Sequence, residues 1–531
     1  MMFFVENLDL LMFVALCIFL MAGFPVAFTL GGTALLFAFM GYAFGVFDLT
    51  FVAFLKERIF GTMINQVLIA VPLFVFMGTM LERSKVAEEL LETMAALFGK
   101  RPGGLGISVF LVGALLAAST GIVGATVVTM GLLSLPCMLR HGYSPSLASG
   151  VICAAGTLGQ IIPPSIVLVL LGDQISNAYQ EALRIKQDAL WSQGVFDQTI
   201  IAEPISVGHL FAGALIPGLI LVALYILYIF FLVWKKPHLV PALAKTEKVL
   251  STRQVFQALF PPIILIVLVL GAILLGIAPP TEAASLGAVG AVFLAAIRCV
   301  QGSKRILSAG FYALCFLFAL KAIWPQNISI HLAFQGSYLS LLAIILSLIF
   351  VISLLYALQQ LYQQEMLRPV METTMQTTSM VFMILIGAAL FSLVFRGYGG
   401  DETIHEFLSG LPGGKISAFL ITMLLMFVLG FFLDFIEITF VVVPIVAPIL
   451  FMMDIHPLWL GVMMAMNLQT SFLTPPFGFA LFYLRGVAPK TVKTWHIYKG
   501  VIPFIAIQLF MLIILALYPE LVTALPDYLY N

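Results

Sequence analysis

The sequence predicts an all-α polytopic membrane protein. Of its 531 residues, 62% are hydrophobic and only 9% are charged, and the mean hydropathy is +1.12. Soluble domains carry about 25% charged residues, so this composition excludes a water-soluble fold. The long apolar runs also exclude a β-barrel, whose segments of about ten residues alternate in polarity. The net charge is zero, so we expect no nucleic-acid partner and a lipid bilayer as the surroundings.

Apolar runs follow one another along almost the whole chain, and a helix needs about 20 apolar residues to cross a bilayer. In the first part of the chain this predicts spans at 9–23, 25–45, 60–81, 104–139, 145–171, 207–234, 256–276 and 281–299. In the second part it predicts spans at 307–324, 338–361, 376–396, 415–452, 458–484 and 500–518. No basic segment precedes the first run, which is therefore interpreted as a retained helix rather than a signal peptide.

Two of these runs, 104–139 and 415–452, are too long for one span. They are interrupted near their centres, at 119–121 and 430–434. Each run is either two full spans joined by a tight turn or a re-entrant hairpin, which enters and leaves the membrane on one side. With hairpins, most Lys and Arg residues collect on one side, which is expected to be cytoplasmic, and both termini lie outside. Two full spans preserve this alternation as well, so charge predicts the orientation but not the hairpins.

Sequence landmarks recur between the two halves of the chain. Offsets of 310, 312 and 312 residues separate the tandem glycines 103–104 and 413–414, Pro136 and Pro448, and the tandem prolines 163–164 and 475–476. The predicted topology orients the two units oppositely, as is common in secondary transporters. The second unit is longer, and the predicted insertion is a helix pair at 306–362. No GxxxxGK[ST] pattern occurs, so we expect no ATP hydrolysis through a P-loop.

The first motif that carries chemistry is the AGTLGQIIPPS segment at 155–165. Tandem prolines remove two backbone donors, and the glycines before them allow unwinding. The segment is therefore predicted to break into two half-helices with free carbonyl groups between them. Those carbonyls, with the hydroxyls of Thr157 and Ser165, form an oxygen cage suited to sodium, and the next helix N-terminus favours an anion. A simple proline kink is the alternative for one such motif alone.

The second motif is the NLQTSFLTPPFG segment at 467–478, which has more side-chain oxygen atoms. Each motif is expected to face the tip of its own hairpin. Asp434 and Glu437 lie at the second tip, in an otherwise apolar run. An acid within the membrane costs about 2.5–3.5 kcal/mol on insertion scales and is usually functional. We therefore favour a substrate or ion role over the alternative, in which the acids only hold the tip through backbone hydrogen bonds.

The polar segment 173–205 carries five acidic residues against Arg184 and Lys186 and is long enough for a helix around 175–192. It is either a docking surface for a soluble partner or a solvated lineage-specific loop, and the second interpretation is favoured. The cysteines and histidines form no CxxC or HExxH pattern, so we expect no metal site other than one for sodium.

Five motifs together resemble the large membrane subunit (M subunit, DctM-like) of TRAP transporters, the tripartite ATP-independent periplasmic family. They lie at 23–27, 156–165, 280–284, 432–434 and 467–478. The resemblance covers nearly the whole chain except 173–205 and roughly 306–362. It implies a sodium-coupled importer of a small organic anion, often a carboxylate, rather than an enzyme, located in the bacterial inner membrane with both termini periplasmic. Sodium is the coupling ion, and no cofactor is implied.

The resemblance also implies partners and a mechanism. A periplasmic solute-binding protein would deliver the solute, and a small four-helix TRAP membrane subunit would brace the scaffold. A transport domain, which carries both hairpins and both broken helices, would move as an elevator against that scaffold. The alternative that the sequence leaves open is a stand-alone sodium/dicarboxylate symporter of related fold. A membrane-embedded enzyme and a channel are less favoured alternatives.

Site residues are carried over by position. The resemblance implies one sodium site with Thr120, Gly121, Gly159, Ile162 and Pro163, and a second with Gly430, Ser471, Thr474 and Phe477. The expected substrate-binding residues are Thr126, Thr157, Ser165, Asp434, Glu437, Asn467, Gln469 and Thr470. The first hairpin tip departs from the Ser-Gly-Ser pattern frequent in the family, because Ile122 replaces the second hydroxyl.

The expected domain organisation follows from these assignments. Residues 1–100 form scaffold helices of the first repeat, 101–172 form hairpin 1 and its broken helix, and 173–205 form a polar periplasmic loop. Residues 206–305 form connecting helices and scaffold helices of the second repeat, and 306–362 form the inserted pair. The remaining units are a scaffold or arm helix at 363–412, hairpin 2 with its broken helix at 413–486, and a C-terminal helix at 487–531.

Overall fold

The computed structural model describes residues 7–84, 86–98, 101–195, 205–242, 252–299, 304–323 and 338–530, without the side chains of 119, 120, 252, 318, 319 and 321–323. All regular elements in these ranges are helical. Within them, nine helices are long and apolar enough to cross a membrane, or ten when one bent pair is counted as a span. The chain is therefore a multi-pass helical membrane protein.

The helices of the first half range from 10 residues in length to 29. They are α1 (Leu8–Met21), α2 (Val26–Ala43), α3 (Leu55–Ile64), α4 (Ala70–Arg83), α5 (Val86–Phe98), α6 (Gly104–Thr120), α7 (Val123–Arg140), α8 (Pro145–Thr157), α9 (Ile166–Ser192) and α10 (Val207–Lys235). The start of α8 shows why the chain turns helical at these points. The Ser144 hydroxyl accepts a hydrogen bond from the Leu147 N–H, and Pro145 occupies the first turn, a combination that favours helix initiation.

The second half contains α11 (Thr252–Leu274), α12 (Pro280–Cys299), α13 (Lys304–Ile323), α14 (Tyr338–Gln363), α15 (Leu367–Gly397), α16 (Gly400–Ser409), α17 (Lys415–Leu429), α18 (Phe435–Val441), α19 (Val443–Met452), α20 (Pro457–Leu473), α21 (Phe479–Val487), α22 (Thr494–Leu517) and α23 (Glu520–Tyr530). Helices α13 and α14 fall within the predicted insertion and pack on each other and on α12. Most of α14 remains outside the protein interior, as expected for a lipid-facing helix.

The structure corrects one predicted span, 60–81. Asn65 adopts an extended conformation, and its side chain accepts a hydrogen bond from the Val67 N–H. This local cap separates α3 from the 3₁₀ turn and helix that follow, because an asparagine side chain competes with the helical backbone for donors. Three amphipathic helices, α5, α16 and α23, were not predicted, because they are too short or too polar to read as spans.

The polar segment 173–205 is helical at its start. Helix α9 begins at Ile166 and runs without interruption to Ser192, so the helix expected around 175–192 is an extension of a buried one. Asp173 lies inside this helix and is almost fully buried. Residues 196–204 of the segment lie outside the described ranges.

Several helices of each half pack against helices of the other half, and corresponding helices of the two halves do so in a reciprocal way. Helix α2 packs along α15, and its counterpart α12 packs along α4. The helices that follow the tandem prolines show the same reciprocal packing: α9 packs along α19, and α21 packs along α7. Helix α22 also packs along α8, and α10 contacts α20. Contacts between the two halves therefore contribute to the core together with contacts within each half.

Candidate functional site

The first tandem-proline motif interrupts a buried helix. Helix α8 ends at Thr157, a 3₁₀ turn covers Leu158–Gln160, and α9 starts at Ile166. The Ser165 hydroxyl donates to the carbonyl oxygens of Gly159 and Gln160 at 2.8 and 3.2 Å. Every residue from 151 to 170 is buried. The carbonyl groups released by the prolines are therefore partly satisfied within the motif itself.

The tip of the first hairpin lies directly on this break. Helices α6 and α7 are joined through Gly121, which has a φ of 60°. A Cβ atom at Gly121 would lie 2.9 Å from the backbone nitrogen of Ile166, and one at Gly159 would lie 3.6 Å from Ala117. Only glycine allows both the left-handed conformation and this close approach. Two of the five residues expected at the first sodium site are thus placed between the hairpin and the broken helix.

The other three expected residues of that site are placed differently. The Ile162 side chain faces α10, where a Cβ at Gly218 would lie 3.3 Å from its Cγ1 atom. Pro163 is buried, and its peptide bond to Pro164 is cis. The side chain of Thr120 lies outside what the structure describes. Thr126 lies one turn into α7, where its hydroxyl donates to the carbonyl of Ile122 at 3.0 Å.

The second motif also interrupts a helix, but it is less enclosed. Helix α20 ends at Leu473, Thr474 is extended, and α21 begins at Phe479. The Phe477 side chain is 43% exposed, and its ring centroid lies 5.1 Å from that of Phe432 at the hairpin tip. A Cβ at Gly430 would lie 2.1 Å from the Ser471 hydroxyl. The second hairpin tip therefore rests on its own broken helix, as the first does.

The hydroxyls of the second motif bond to their own helix. Hydroxyl groups of Thr470, Ser471 and Thr474 donate to the carbonyls of Met466, Leu468 and Thr470 at 2.8, 2.9 and 2.7 Å. The Asn467 amide instead donates to the Met423 carbonyl in α17 at 2.8 Å. Asn467 therefore ties α20 to the hairpin. The lone pairs of the three hydroxyl oxygens remain the acceptors that an ion would use.

Asp434 and Glu437 form a capping box at the start of α18. The Asp434 N–H donates to the Glu437 carboxylate at 2.8 Å, and the Phe435 N–H donates to the Asp434 carboxylate at 2.7 Å. Such reciprocal bonds satisfy donors that a helix N-terminus leaves free. The return arm then bends by 55° between α18 and α19, where Pro444 follows the break. The two carboxylates therefore bond to the backbone at the hairpin tip.

The two motifs meet at the centre of the molecule. The Gln469 Nε2 atom donates to the Thr157 hydroxyl at 3.4 Å, and these residues are 312 positions apart, which is the repeat offset. Four buried polar atoms of the two motifs and of α18 have no hydrogen-bond partner among the described residues: both amide atoms of Gln160, Gln469 Oε1 and Thr439 Oγ1. Each such atom costs about 1–3 kcal/mol. A polar ligand at this place would recover that cost.

The sequence analysis did not identify Gln160 and Thr439 as site residues. Gln160 lies inside the first motif, and its position between Gly159 and the prolines could have indicated a site residue. Thr439 lies two residues beyond Glu437 in α18, and only the packing of that helix against α9 and α15 buries it.

Known proteins with similar sequences match nearly the whole chain. A family model described as the tripartite ATP-independent periplasmic transporter, DctM component, matches residues 13–183 and 198–521. The C4-dicarboxylate TRAP transporter large permease protein DctM of Vibrio cholerae is 25% identical over 98% of this chain and 97% of its own length. The ectoine/5-hydroxyectoine TRAP transporter large permease protein UehC of Ruegeria pomeroyi is 24% identical over 97% of this chain and 98% of its own.

A solved structure has a similar fold. The YdaH transporter of Alcanivorax borkumensis aligns with a TM-score of 0.52 over 97% of this chain and 98% of that chain. At 15% identity this likeness concerns the fold alone. The sequence relatives are permeases, not enzymes. Because the family model covers most of the chain, the protein belongs to the DctM component family of TRAP transporters and is a large permease subunit that crosses the membrane several times.

Proposed function

We propose that this permease subunit imports an organic acid, as its carboxylate anion, by coupling its entry to sodium. The solute is delivered by a periplasmic solute-binding protein, and a small four-helix subunit braces the scaffold. The assembly lies in the bacterial inner membrane with both termini periplasmic. Relatives described for C4-dicarboxylates and ectoine support a small, polar, charged solute.

One observation carries the proposal: each unwound motif is capped by the glycine tip of its own hairpin. Gly121 adjoins Ile166, and Gly430 adjoins Ser471. Unwound backbone at membrane depth persists only where protein or a cavity satisfies it. Backbone carbonyls and hydroxyl oxygens are hard ligands, which suit a small cation. The two sodium ions then bind between tip and break, with the residues that the sequence analysis assigned.

The solute binds between the two motifs in this scheme. Gln160, Gln469 and Thr439 present unpaired polar atoms there, and the N-termini of the second half-helices, α9 and α21, favour an anion. Asp434 and Glu437 hold the second tip closed over it through their capping bonds. Sodium and solute are coupled because the closed tip is stable only when both are present.

The reciprocal helix contacts support inverted repeats and an elevator. Helices α6 to α9 contact α17 to α21 across the two halves, and α2, α4, α12 and α15 pair among themselves. The two groups meet where α4 packs on α6 and α15 packs on α18. In the proposed mechanism the first group moves as a transport domain against the second. Movement of the domain carries the enclosed ions and solute from one side to the other.

The experiment is uptake into proteoliposomes that contain the permease, its small subunit and the binding protein. Thr474→Ala is expected to weaken sodium dependence, with an apparent sodium affinity about tenfold lower, since one ligand is lost. Thr373→Ala is the matched control, because its hydroxyl makes the same bond to the carbonyl four residues earlier, in α15. Equal sodium dependence in both variants would refute the second sodium site. Full uptake without any binding protein would favour the stand-alone symporter.

A further inference from the structure

A separate polar cavity of about 480 Å³ lies between α3, α9, α15 and the bent arm α18–α19. It contains none of the residues assigned above to sodium or solute. Its polar lining comes from single faces of three helices, and its apolar lining includes Leu385, Ala388, Phe440 and Pro444. Ligand sites of about 300–1,000 Å³ are common in proteins, so the cavity is large enough for a small organic molecule.

The carboxylates in the lining already have partners. Glu181 accepts two hydrogen bonds from the Arg396 guanidinium, at 2.6 and 3.0 Å, and Arg396 also lies 3.2 Å from Asp401. Asp173 accepts hydrogen bonds from the amides of Asn65, Gln174 and Asn177 at 3.0, 3.1 and 3.3 Å. Neither acid therefore requires a cation from solution or a further side chain.

The second guanidinium in the lining has no such partner. Arg58 is partly buried, and within the described part of the chain no carboxylate lies within ion-pair distance of it. Glu181 and Asp401 attract this guanidinium only through space, without a direct contact, and withdrawing a cation from water without a direct partner is costly. A guanidinium also presents a planar fork of donors that matches a carboxylate. Arg58 is thus the one lining cation with its full hydrogen-bonding capacity available, as far as the structure describes the lining.

We propose that this cavity is a carboxylate-binding waiting site, in which Arg58 holds the acid group of the solute before the solute reaches the central site. The apolar lining from α15, Phe440 and Pro444 accommodates the carbon skeleton. Phe440 and Pro444 lie on the return arm of the second hairpin, and Phe440 is next to Thr439 and three residues beyond Glu437. A solute bound here therefore contacts the arm that must move for it to enter.

This inference rests on the proposed function only for the direction of transport. The cavity contains no residue assigned to sodium, so binding of the acid here is sodium-independent. Sodium-independent binding therefore distinguishes this site from the sodium-coupled site of the proposed function. The probes are acetate, lactate, succinate, malate and citrate, with succinamide as the uncharged match of succinate, and the medium contains choline in place of sodium.

The first test measures binding of these probes to the purified complex by calorimetry. We expect at least one acid to bind the unmodified protein without sodium, and succinamide not to bind. Arg58→Gln is expected to weaken that binding about tenfold or more, and Arg58→Lys less, because an ammonium keeps the charge but not the fork. Lys56→Gln is the matched control, because it also removes one positive charge. Lys56 lies two residues before Arg58, its side chain is exposed, and it does not line the cavity.

A second test needs no variant and so is independent of folding. Phenylglyoxal modifies accessible arginines, and mass spectrometry reads each site. The bound acid is expected to protect Arg58, whereas Arg184, whose side chain is 85% exposed, stays reactive. Unchanged binding in Arg58→Gln, absence of protection at Arg58, or no sodium-free binding by any probe would overturn the proposal. Sodium-free binding that Arg58→Gln weakens would support the proposal even if Thr474→Ala left sodium dependence unchanged, the result that refutes the second sodium site.

Discussion

The two broken-helix motifs are related by a constant offset, yet their surroundings differ. All residues of the first, from 155 to 165, are buried, and its hairpin returns through one continuous helix, α7. At the second, Pro476 and Phe477 are exposed, and the return arm bends by 55°. Only the second tip carries a capping box of two acids. The second motif and its hairpin tip are therefore more accessible than the first, although the two motifs contain the same tandem prolines.

The largest expected effect breaks the first motif. Gly121→Ala places a side chain at a φ of 60° and 2.9 Å from the Ile166 backbone, so we expect about 2–4 kcal/mol of destabilisation from conformational strain and overpacking together. Gly276→Ala is the control, because it has a φ of 66° and nothing within 4 Å. Thermal unfolding of both purified variants measures the difference. Equal losses would show that the first tip does not press on its broken helix.

A smaller effect is expected where the two motifs touch. Thr157→Val removes the acceptor of the Gln469 amide, which leaves a buried donor unpaired and costs about 1–3 kcal/mol. Thr157→Ser keeps the hydroxyl and is expected to behave like the unmodified protein. Thermal unfolding and uptake are measured in parallel. If Thr157→Val and Thr157→Ser are equally stable, the hydrogen bond between the two motifs does not contribute to the stability of the protein.

Substitutions of Asp434, at the tip of the second hairpin, are expected to reduce stability less than the two changes above and to reduce uptake more. Asp434→Ala removes a cap, worth about 1 kcal/mol, and should lower sodium-driven uptake because the tip no longer closes. Asp434→Asn retains a capping oxygen without the charge. Near-normal uptake in the Asn variant is expected if the residue only holds the tip. Loss of uptake in Asp434→Asn as well as in Asp434→Ala would show that the charge of Asp434 acts on the solute or the ion.

The smallest effect concerns a surface contact between the two regions. Lys186 in the extension of α9 bonds to Asp454, after α19, at 2.7 Å. The hydrogen bond and charge of Lys186 hold the pKa of Asp454 below its usual value. A depressed carboxyl pKa contributes stability above the unfolded pKa, and that stability is lost as the pH falls through the folded pKa. Asp454→Asn should therefore lower Tm slightly at neutral pH and by less at a pH of about 3, which lies below the unfolded pKa. A large drop at both would mean that Asp454 has another structural role.

Several features of this site could be predicted from residue patterns alone. Tandem prolines locate both breaks, since proline lacks the N–H that a helix requires at any depth. Gly121 and Gly430 identify the places where a tip approaches a broken helix closely. The Asn65 break and the polar helix to Ser192 were harder to predict. Local capping and packing against neighbouring helices decide them, and hydropathy reports neither.

Composition and hydropathy alone predict that this chain crosses the membrane many times, the spacing of its landmarks predicts a repeat, and its motifs resemble those of the TRAP large permease family. These properties follow from composition, spacing and local backbone chemistry, which act wherever the chain folds. The packing of the helices, in contrast, decides that Gln469 meets Thr157 and that Arg58 faces a cavity without an ion-pair partner among the described residues. Such contacts join residues distant in sequence or depend on which face of a helix is covered, and neither is encoded in a local pattern.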